Sequence, residues 1–305
     1  MSWISPFSLA GEWFKGNLHT HTTQSDGLLS PEEAIAWYRG HGYDFVALSD
    51  HWVLTQGQTF GPPNDFVTIS GTELDGPGYH MLALGVSDLP ARELADSAQA
   101  LTDAIVAQGG LPFFAHPYWT GQSSADIAPI RRIAGIEVFN SVCEREVGLG
   151  YASVHWDELL ALGLRLNALA VDDVHWRLDC QGMGYIMVRA KSLDESSILE
   201  AIRRGHFYSS SGPKIADLQV VRQEDGQPAL RVRCSPCSTI TFYASGPRGR
   251  RFEAVPGQSL DSAILPFRAE QIYLRVECRD LRGGTAWSNP IYVEDVLSGK
   301  GRVQA

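Results

Sequence analysis

The sequence predicts an α/β fold, either a barrel or a doubly wound sheet, followed by a small antiparallel β-sandwich. Three observations predict it. From residue 14 to about residue 212, continuous apolar runs alternate with helix-like segments, the pattern of repeated βα units. After Ser209-Ser210-Ser211-Gly212-Pro213 the pattern turns to strict alternation. The charge balance changes at the same place. Residues 1–212 carry 12 Lys and Arg against 25 Asp and Glu, whereas residues 213–305 carry 13 against 10. The expected division is therefore residues 1–212 and residues 213–305.

In order along the chain, Phe14 to Leu18 reads as the first strand. Ser30-Pro31-Glu32-Glu33 is a capping box with proline at the first helical position, and it opens a helix through Arg39. Phe45 to Leu48, Phe66 to Ile69, Leu111 to Ala115, Gly135 to Phe139 and Leu166 to Val171 are runs without alternation. Such runs suit strands buried on both faces. Residues 91–108 are rich in alanine and read as one helix. Asp194 to Arg204 reads as another, closed by Gly205. Beyond residue 213, Leu230/Val232/Cys234, Ile240/Phe242/Ala244 and Ile272/Leu274/Val276/Cys278 alternate with polar neighbours. That is the period of half-buried antiparallel strands.

Composition narrows the function classes. The chain has 305 residues, is 44% hydrophobic and 20% charged, and has a net charge of −10. This is a globular chain with a sizeable core. No apolar run approaches the roughly 18 residues of a spanning helix. The start, Met1-Ser2-Trp3-Ile4-Ser5-Pro6, lacks a basic region followed by an apolar core, so a cytoplasmic location is expected. Nucleic acid is not an expected partner, because phosphate contacts need clustered Lys and Arg, and residues 1–212 contain only two Lys. The five cysteines are scattered and odd in number, which is not a disulfide framework. Cys234-Ser235-Pro236-Cys237 is read as small strand residues rather than as a redox pair or half a zinc site.

The informative residues are histidines and carboxylates. Of nine histidines, six fall at or near expected strand ends: His19, His21, His51, His80, His116 and His175. Asp26, Glu73 and Asp173 accompany them. In α/β sheets that rim is where ligands bind. His19 and His21 share a face if Phe14 to His21 stays extended. Nitrogen and oxygen donors without cysteine suit zinc, manganese, iron or cobalt. Nine such residues are enough for two or three ions if one carboxylate bridges.

His19-x-His21, Asp26, Ser49-Asp50-His51, Gly71-x-Glu73, His80, Ala115-His116-Pro117 and Asp173-x-His175 occur in the order found in the PHP (polymerase and histidinol phosphatase) superfamily. Residues 14–212 resemble that superfamily. The segments Gly205 to Pro213 and Ala286 to Pro290 resemble its branch with a C-terminal β-domain, which includes carbaryl-hydrolase-like proteins. The resemblance implies a distorted (β/α)7 barrel with a trinuclear centre of divalent Zn, Mn or Fe at its rim. One ion would take His19, His21, Glu73 and Asp173. A second would share Glu73 and take His80 and His116. A third would take Asp26, His51 and His175. Val171-Asp172-Asp173 departs from the usual Gly-Ser-Asp, so Asp172 is either an outer carboxylate or an alternative ligand to Asp173.

The activity implied is a metal-dependent phosphoesterase acting on a small molecule through a hydroxide that bridges two ions. Glu73, Asp173 and His175 are its expected catalytic residues. Arg145 and Arg177 are expected to bind substrate, Glu137 and Asn140 to orient a ligand, and Trp52, Trp119 and Trp176 to wall the pocket. The same site would serve a carbamate, ester or amide hydrolase. A non-catalytic metal-binding or partner-binding module is a third reading. Edge pairing of the β-domain makes a homo-oligomer plausible.

Overall fold

The computed structural model describes residues 3–61 and 65–297. The first part of the chain forms β1 (Glu12–Asn17), α1 (Pro31–Gly40), β2 (Phe45–Ala47), β3 (Thr59–Phe60), β4 (Phe66–Ile69), β5 (Gly71–Gly76), β6 (Tyr79–Leu84), α2 (Ala98–Ala107), β7 (Leu111–Ala115), α3 (Ser124–Ile127), β8 (Gly135–Asn140), α4 (Ser141–Val147), α5 (Ser153–Ala161), β9 (Asn167–Val171), β10 (Tyr185–Ala190), α6 (Glu195–Arg203) and β11 (Phe207–Ser210). The rest forms β12 (Ile215–Arg222), β13 (Pro228–Cys237), β14 (Thr239–Ala244), β15 (Arg250–Glu253), β16 (Leu260–Pro266), β17 (Tyr273–Arg279), β18 (Thr285–Ser288), β19 (Ile291–Tyr292) and α7 (Val293–Leu297). This is an α/β protein with mixed sheets.

The strands of the first part do not form one closed parallel ring. β10, β1, β2 and β4 belong to an 11-stranded sheet, and β5 to β9 form a separate 5-stranded sheet. β1, β2 and β4 run parallel, as do β7, β8 and β9, but β5, β6 and β10 pair antiparallel to their neighbours. The expectation of a (β/α)7 barrel is corrected accordingly. The reason is the β5–β6 hairpin, which reverses the chain without a helical crossover. The two sheets still face each other across one core. Phe45, Val67 and Ile186 of one sheet pack with Leu82, Phe113 and Leu169 of the other. At one end, isolated bridges between Thr20 and Val174 and between His51 and Glu73 tie the sheets together.

Helix α1 starts as its capping box predicts, with Ser30 Oγ accepting from Glu33 N at 3.3 Å. The single helix expected over residues 91–108 is instead a 3-10 turn, Arg92–Asp96, followed by α2. Ser97 divides them, because its hydroxyl caps α2 by accepting from Ala100 N.

Beyond residue 213 two sheets form the sandwich. β12, β13 and β16 make one layer, and β14, β15, β17 and β18 belong to the other. Leu230, Val232, Phe242 and Val276 fill the space between them. The second layer is continuous with the first part of the chain, because β18 pairs with β11 and β11 with β10. β17 is buried on both faces, although its sequence alternates. Leu274, Val276 and Cys278 face the sandwich core, while Tyr273 and Arg275 are covered by α5.

Candidate metal centre

The chain ends of β1, β2, β7 and β9 carry His19 and His21, His51, His116, and Asp173 and His175 to one rim. The hairpin brings two more residues there in a way the sequence reading did not foresee. Glu73 lies inside β5 rather than after a strand, and His80 lies near the start of β6. Because β6 is antiparallel to β7, its beginning faces the end of β7, with His80 opposite Ala115.

Glu73 is the centre of the cluster. Its Oε2 lies 3.1 Å from both His19 Nε2 and His21 Nε2 and 3.4 Å from His51 Nδ1. Its Oε1 lies 2.9 Å from His80 Nδ1 and 3.1 Å from His116 Nε2. Asp173 Oδ1 lies 3.1 Å from His19 Nε2 and 3.0 Å from His21 Nε2. Farther out, His175 Nε2 lies 3.2 Å from Asp26 Oδ2. Three groups have donor atoms within 4.8 Å of one another: His19, His21, Glu73 and Asp173; His51, Glu73 and His80; and His21, Asp26, His51 and His175. The first group is the set expected for one ion. In the second group His51 stands where His116 was expected, and in the third His21 joins Asp26, His51 and His175. All nine residues converge.

The donor set fits divalent cations. His19 Nε2 and His21 Nε2 face each other at 3.1 Å. As neutral rings with both lone pairs turned inward they repel, and a cation relieves this. Asp173 Oδ1 is buried without a hydrogen bond, and so are His51 Nδ1 and His116 Nδ1. Without metal the cluster holds protons instead. Burial opposes protonation of His19, but the carboxylates of Asp173, Glu73 and Glu137 outweigh it and hold its pKa well above the usual imidazole value. Burial likewise opposes the charge on His21, and the adjacent carboxylates of Asp173 and Glu73 raise its pKa to about 9. The histidines in turn hold Glu73 and Asp173 below the carboxylate range, against the effect of their burial.

Surrounding groups fix the donors. Glu137 Oε1 accepts from His19 Nδ1 at 2.6 Å, and Glu137 Oε2 accepts from the His116 amide and from Asn140 Nδ2. A carboxylate only accepts, so His19 keeps its Nδ1 proton and turns Nε2 to the cluster. Asn140 Nδ2 also donates to Asp173 Oδ2 at 3.0 Å, while its Oδ1 caps α4 by accepting from Cys143 N. Asp50 accepts from the Thr22 and Ser25 amides and hydroxyls, and so holds the loop that carries His21 and Asp26. Asp172 points away from the cluster and accepts from Tyr38 Oη, Gly182 N and Gly184 N. It is an outer carboxylate, and Asp173 is the one among the donors.

Backbone strain concentrates here. Five described residues other than glycine have positive φ, and four adjoin the cluster: Trp52 (53°), His116 (28°), Asp173 (54°) and Trp176 (65°). Such conformations cost about 1–3 kcal/mol each and persist where the surroundings over-determine them. No sequence signal marks them, since none is glycine.

The cluster opens into a cavity of about 250 Å³ lined by Asp26, His51, Glu73, His80, His116, Asp173 and His175, with Trp119, Arg177, Leu178 and a face of α4. Arg177 Nη2 donates to the Asp26 carbonyl at 2.6 Å. Arg145 is exposed and is not among the lining residues. α4 turns Val142, Cys143 and Glu146 to the cavity, one helical face that Arg145 does not share. Trp119 is a wall, whereas Trp176 packs on Trp37 and Tyr38 and donates to the His21 carbonyl. Trp52 packs against the outer core and under Arg92.

A crystal structure from Bacteroides vulgatus, described as a two-domain protein containing a predicted PHP-like metal-dependent phosphoesterase, aligns over 92% of this chain and 95% of its own. The TM-score is 0.53 and the identity 16%. The chain shares the fold of that protein. A putative metal-dependent phosphoesterase from Bifidobacterium adolescentis aligns over 62% of this chain and 96% of its own, at 16% identity and a TM-score of 0.41. An amidohydrolase from Chromobacterium violaceum aligns over 52% of this chain and 87% of its own, at 17% identity and a TM-score of 0.35. No family model and no curated protein matches the sequence. Among the described residues no helix is long and apolar enough to cross a membrane.

Proposed function

We propose that this chain is a metal-dependent phosphoesterase acting on a small phosphate ester. The observation that carries the reading is the convergence of six imidazoles and three carboxylates, Glu73 at their centre, at the floor of a cavity of about 250 Å³. A small cavity suits a metabolite rather than a polymer. The shared fold with a protein described as a predicted PHP-like phosphoesterase points the same way.

In this reading His19, His21, Asp26, His51, Glu73, His80, His116, Asp173 and His175 would hold two or three divalent ions (Zn, Mn or Fe). Bound ions supply Lewis acidity and lower the pKa of water from 15.7 toward about 7. The chain's own residues do the rest. Glu73 presents one oxygen to His19, His21 and His51 and the other to His80 and His116, so it would be the carboxylate shared between ions. Glu137 keeps His19 in one tautomer. Arg177, which lines the cavity, would meet a phosphate oxygen; Arg145 does not line it. Trp119 and Leu178 offer an apolar wall to the alcohol part of the ester. His175 and Asp173, both in the cavity lining, face the reacting group. Residues 1–212 supply the site.

The test is hydrolysis by protein reconstituted separately with Mn, Zn and Fe. One set receives p-nitrophenyl phosphate and its bis-ester; the other receives a p-nitrophenyl carboxylic ester and an aryl methylcarbamate. Metal-dependent release from the phosphates, abolished by chelator and by Glu73→Gln, is the expected result. Turnover of the carbon esters alone would move the chain to ester or carbamate hydrolysis. Metal binding with silence in both sets would leave a binding module.

A further inference from the structure

We propose that Cys234 and Cys237 are a redox-active dithiol in the sandwich core, which a hydroperoxide converts to a disulfide. Residues three apart on a regular strand point to opposite faces. β13 is not regular there. Arg233 pairs with Ser262 and Cys237 with Leu260, so a four-residue step on β13 lies opposite a two-residue step on β16. This bulge compacts the segment and turns both cysteines inward. Cys234 is 7% exposed and Cys237 0%, while Pro236 between them is exposed. A bulge is also where a central strand tolerates proline. The two Sγ atoms lie 3.8 Å apart.

A third thiol joins them. Cys278 of β17, in the facing layer, is fully buried in the same core. Hydrogen bonds from the Cys234 and Cys278 thiols pull the pKa of Cys237 down, against its burial. The same interactions raise those of Cys234 and Cys278. One sulfur thus carries thiolate character beside a thiol within reach, the arrangement of a nucleophilic and a resolving cysteine. Cys143 and Cys180, by contrast, are pushed up by burial, which keeps them as inert thiols.

The chemistry balances. The Cys237 thiolate attacks the terminal oxygen of the hydroperoxide, the O–O bond breaks, and the departing alkoxide takes a proton and leaves as an alcohol. Cys237 becomes a sulfenic acid. The Cys234 sulfur then attacks the Cys237 sulfur, the S–O bond breaks, and the hydroxyl leaves as water with the Cys234 proton. Two thiols lose two electrons, and the hydroperoxide takes them up.

The test treats the full chain with hydrogen peroxide, then denatures and alkylates it. Of the five cysteines, Cys143, Cys180 and Cys278 should be alkylated. The peptide carrying Cys234 and Cys237 should be unmodified and lighter by two hydrogens, and dithiothreitol should reverse this. In Cys234→Ser, checked for folding by circular dichroism, dimedone should capture Cys237 as its sulfenic acid. Five alkylated cysteines after peroxide, or a disulfide that includes Cys278, would overturn the proposal. The wild-type measurement decides it even if the variant does not fold.

Discussion

Glu73 touches five imidazoles while itself buried, so its charge cannot be removed cheaply. Glu73→Gln should lower metal content and activity by more than the roughly 10- to 100-fold that loss of an orienting partner costs. Glu137→Gln should fall within that smaller range, because it frees the tautomer of His19 without removing a ligand; metal titration distinguishes the two. His21 gives a pH signature. Its pKa rises from 6.5 to about 9 in the metal-free protein, with burial opposing and Asp173 and Glu73 more than compensating. A raised imidazole pKa stabilises the fold fully below about 6.5, and that stability is lost as pH rises through about 9. Chelator-treated protein should therefore melt at lower temperature at pH 9 than at pH 6.5. Metal needs the neutral ring, so the gain in melting temperature on adding metal should widen over the same window. A gain that narrows would sink this account of the cluster.

At the scale of elements, β8 and α4 form one device. Glu137 and Asn140 leave β8 toward the cluster, and Asn140 also starts α4, whose buried side faces the cavity. Asn140→Ala removes a helix cap, worth about 1 kcal/mol, and frees Asp173 Oδ2. Urea denaturation should show a loss of that order, and metal affinity should fall with it; an unchanged affinity would mean Asn140 only caps. The contacts to the cluster were legible as polar residues at a strand end and no further, because His116 and Asp173 lie 21 or more residues away in sequence. The β5–β6 hairpin was not legible. Gly71 follows Ile69 after a single residue, so one strand's end and the next strand's start read as one motif.

Across the whole molecule, the two parts are clamped by a buried cation. Arg275 of β17 is 0% exposed, bonds Asp157 of α5 through Nε and Nη2 at 2.6 Å each, and lies over the rings of Trp156 and Tyr243. Removing one partner of such a pair typically costs about 3–5 kcal/mol. Arg275→Met should lower the unfolding free energy measured in urea by a comparable amount and leave metal stoichiometry unchanged. Metal would act at the same scale, since the donors of the cluster come from both sheets. At metal concentrations a hundredfold above Kd, the folded chain gains about 2.7 kcal/mol. Chelator should accordingly lower the melting temperature by several degrees, and no shift at all would argue against metal at the rim.

The sequence by itself determined the helices with strong caps, the buried strands, the change to alternation after residue 213, and the nine donors. These signals are local: spacing, capping chemistry and residue type. Tertiary structure alone decided how the donors group, with Glu73 at the centre and Asp172 turned away. It also decided that Arg177 lines the cavity while Arg145 does not, and that β17 is buried on both faces. Those outcomes depend on which strands lie side by side and which helix covers them, and neighbours across a sheet leave no trace in the spacing along the chain.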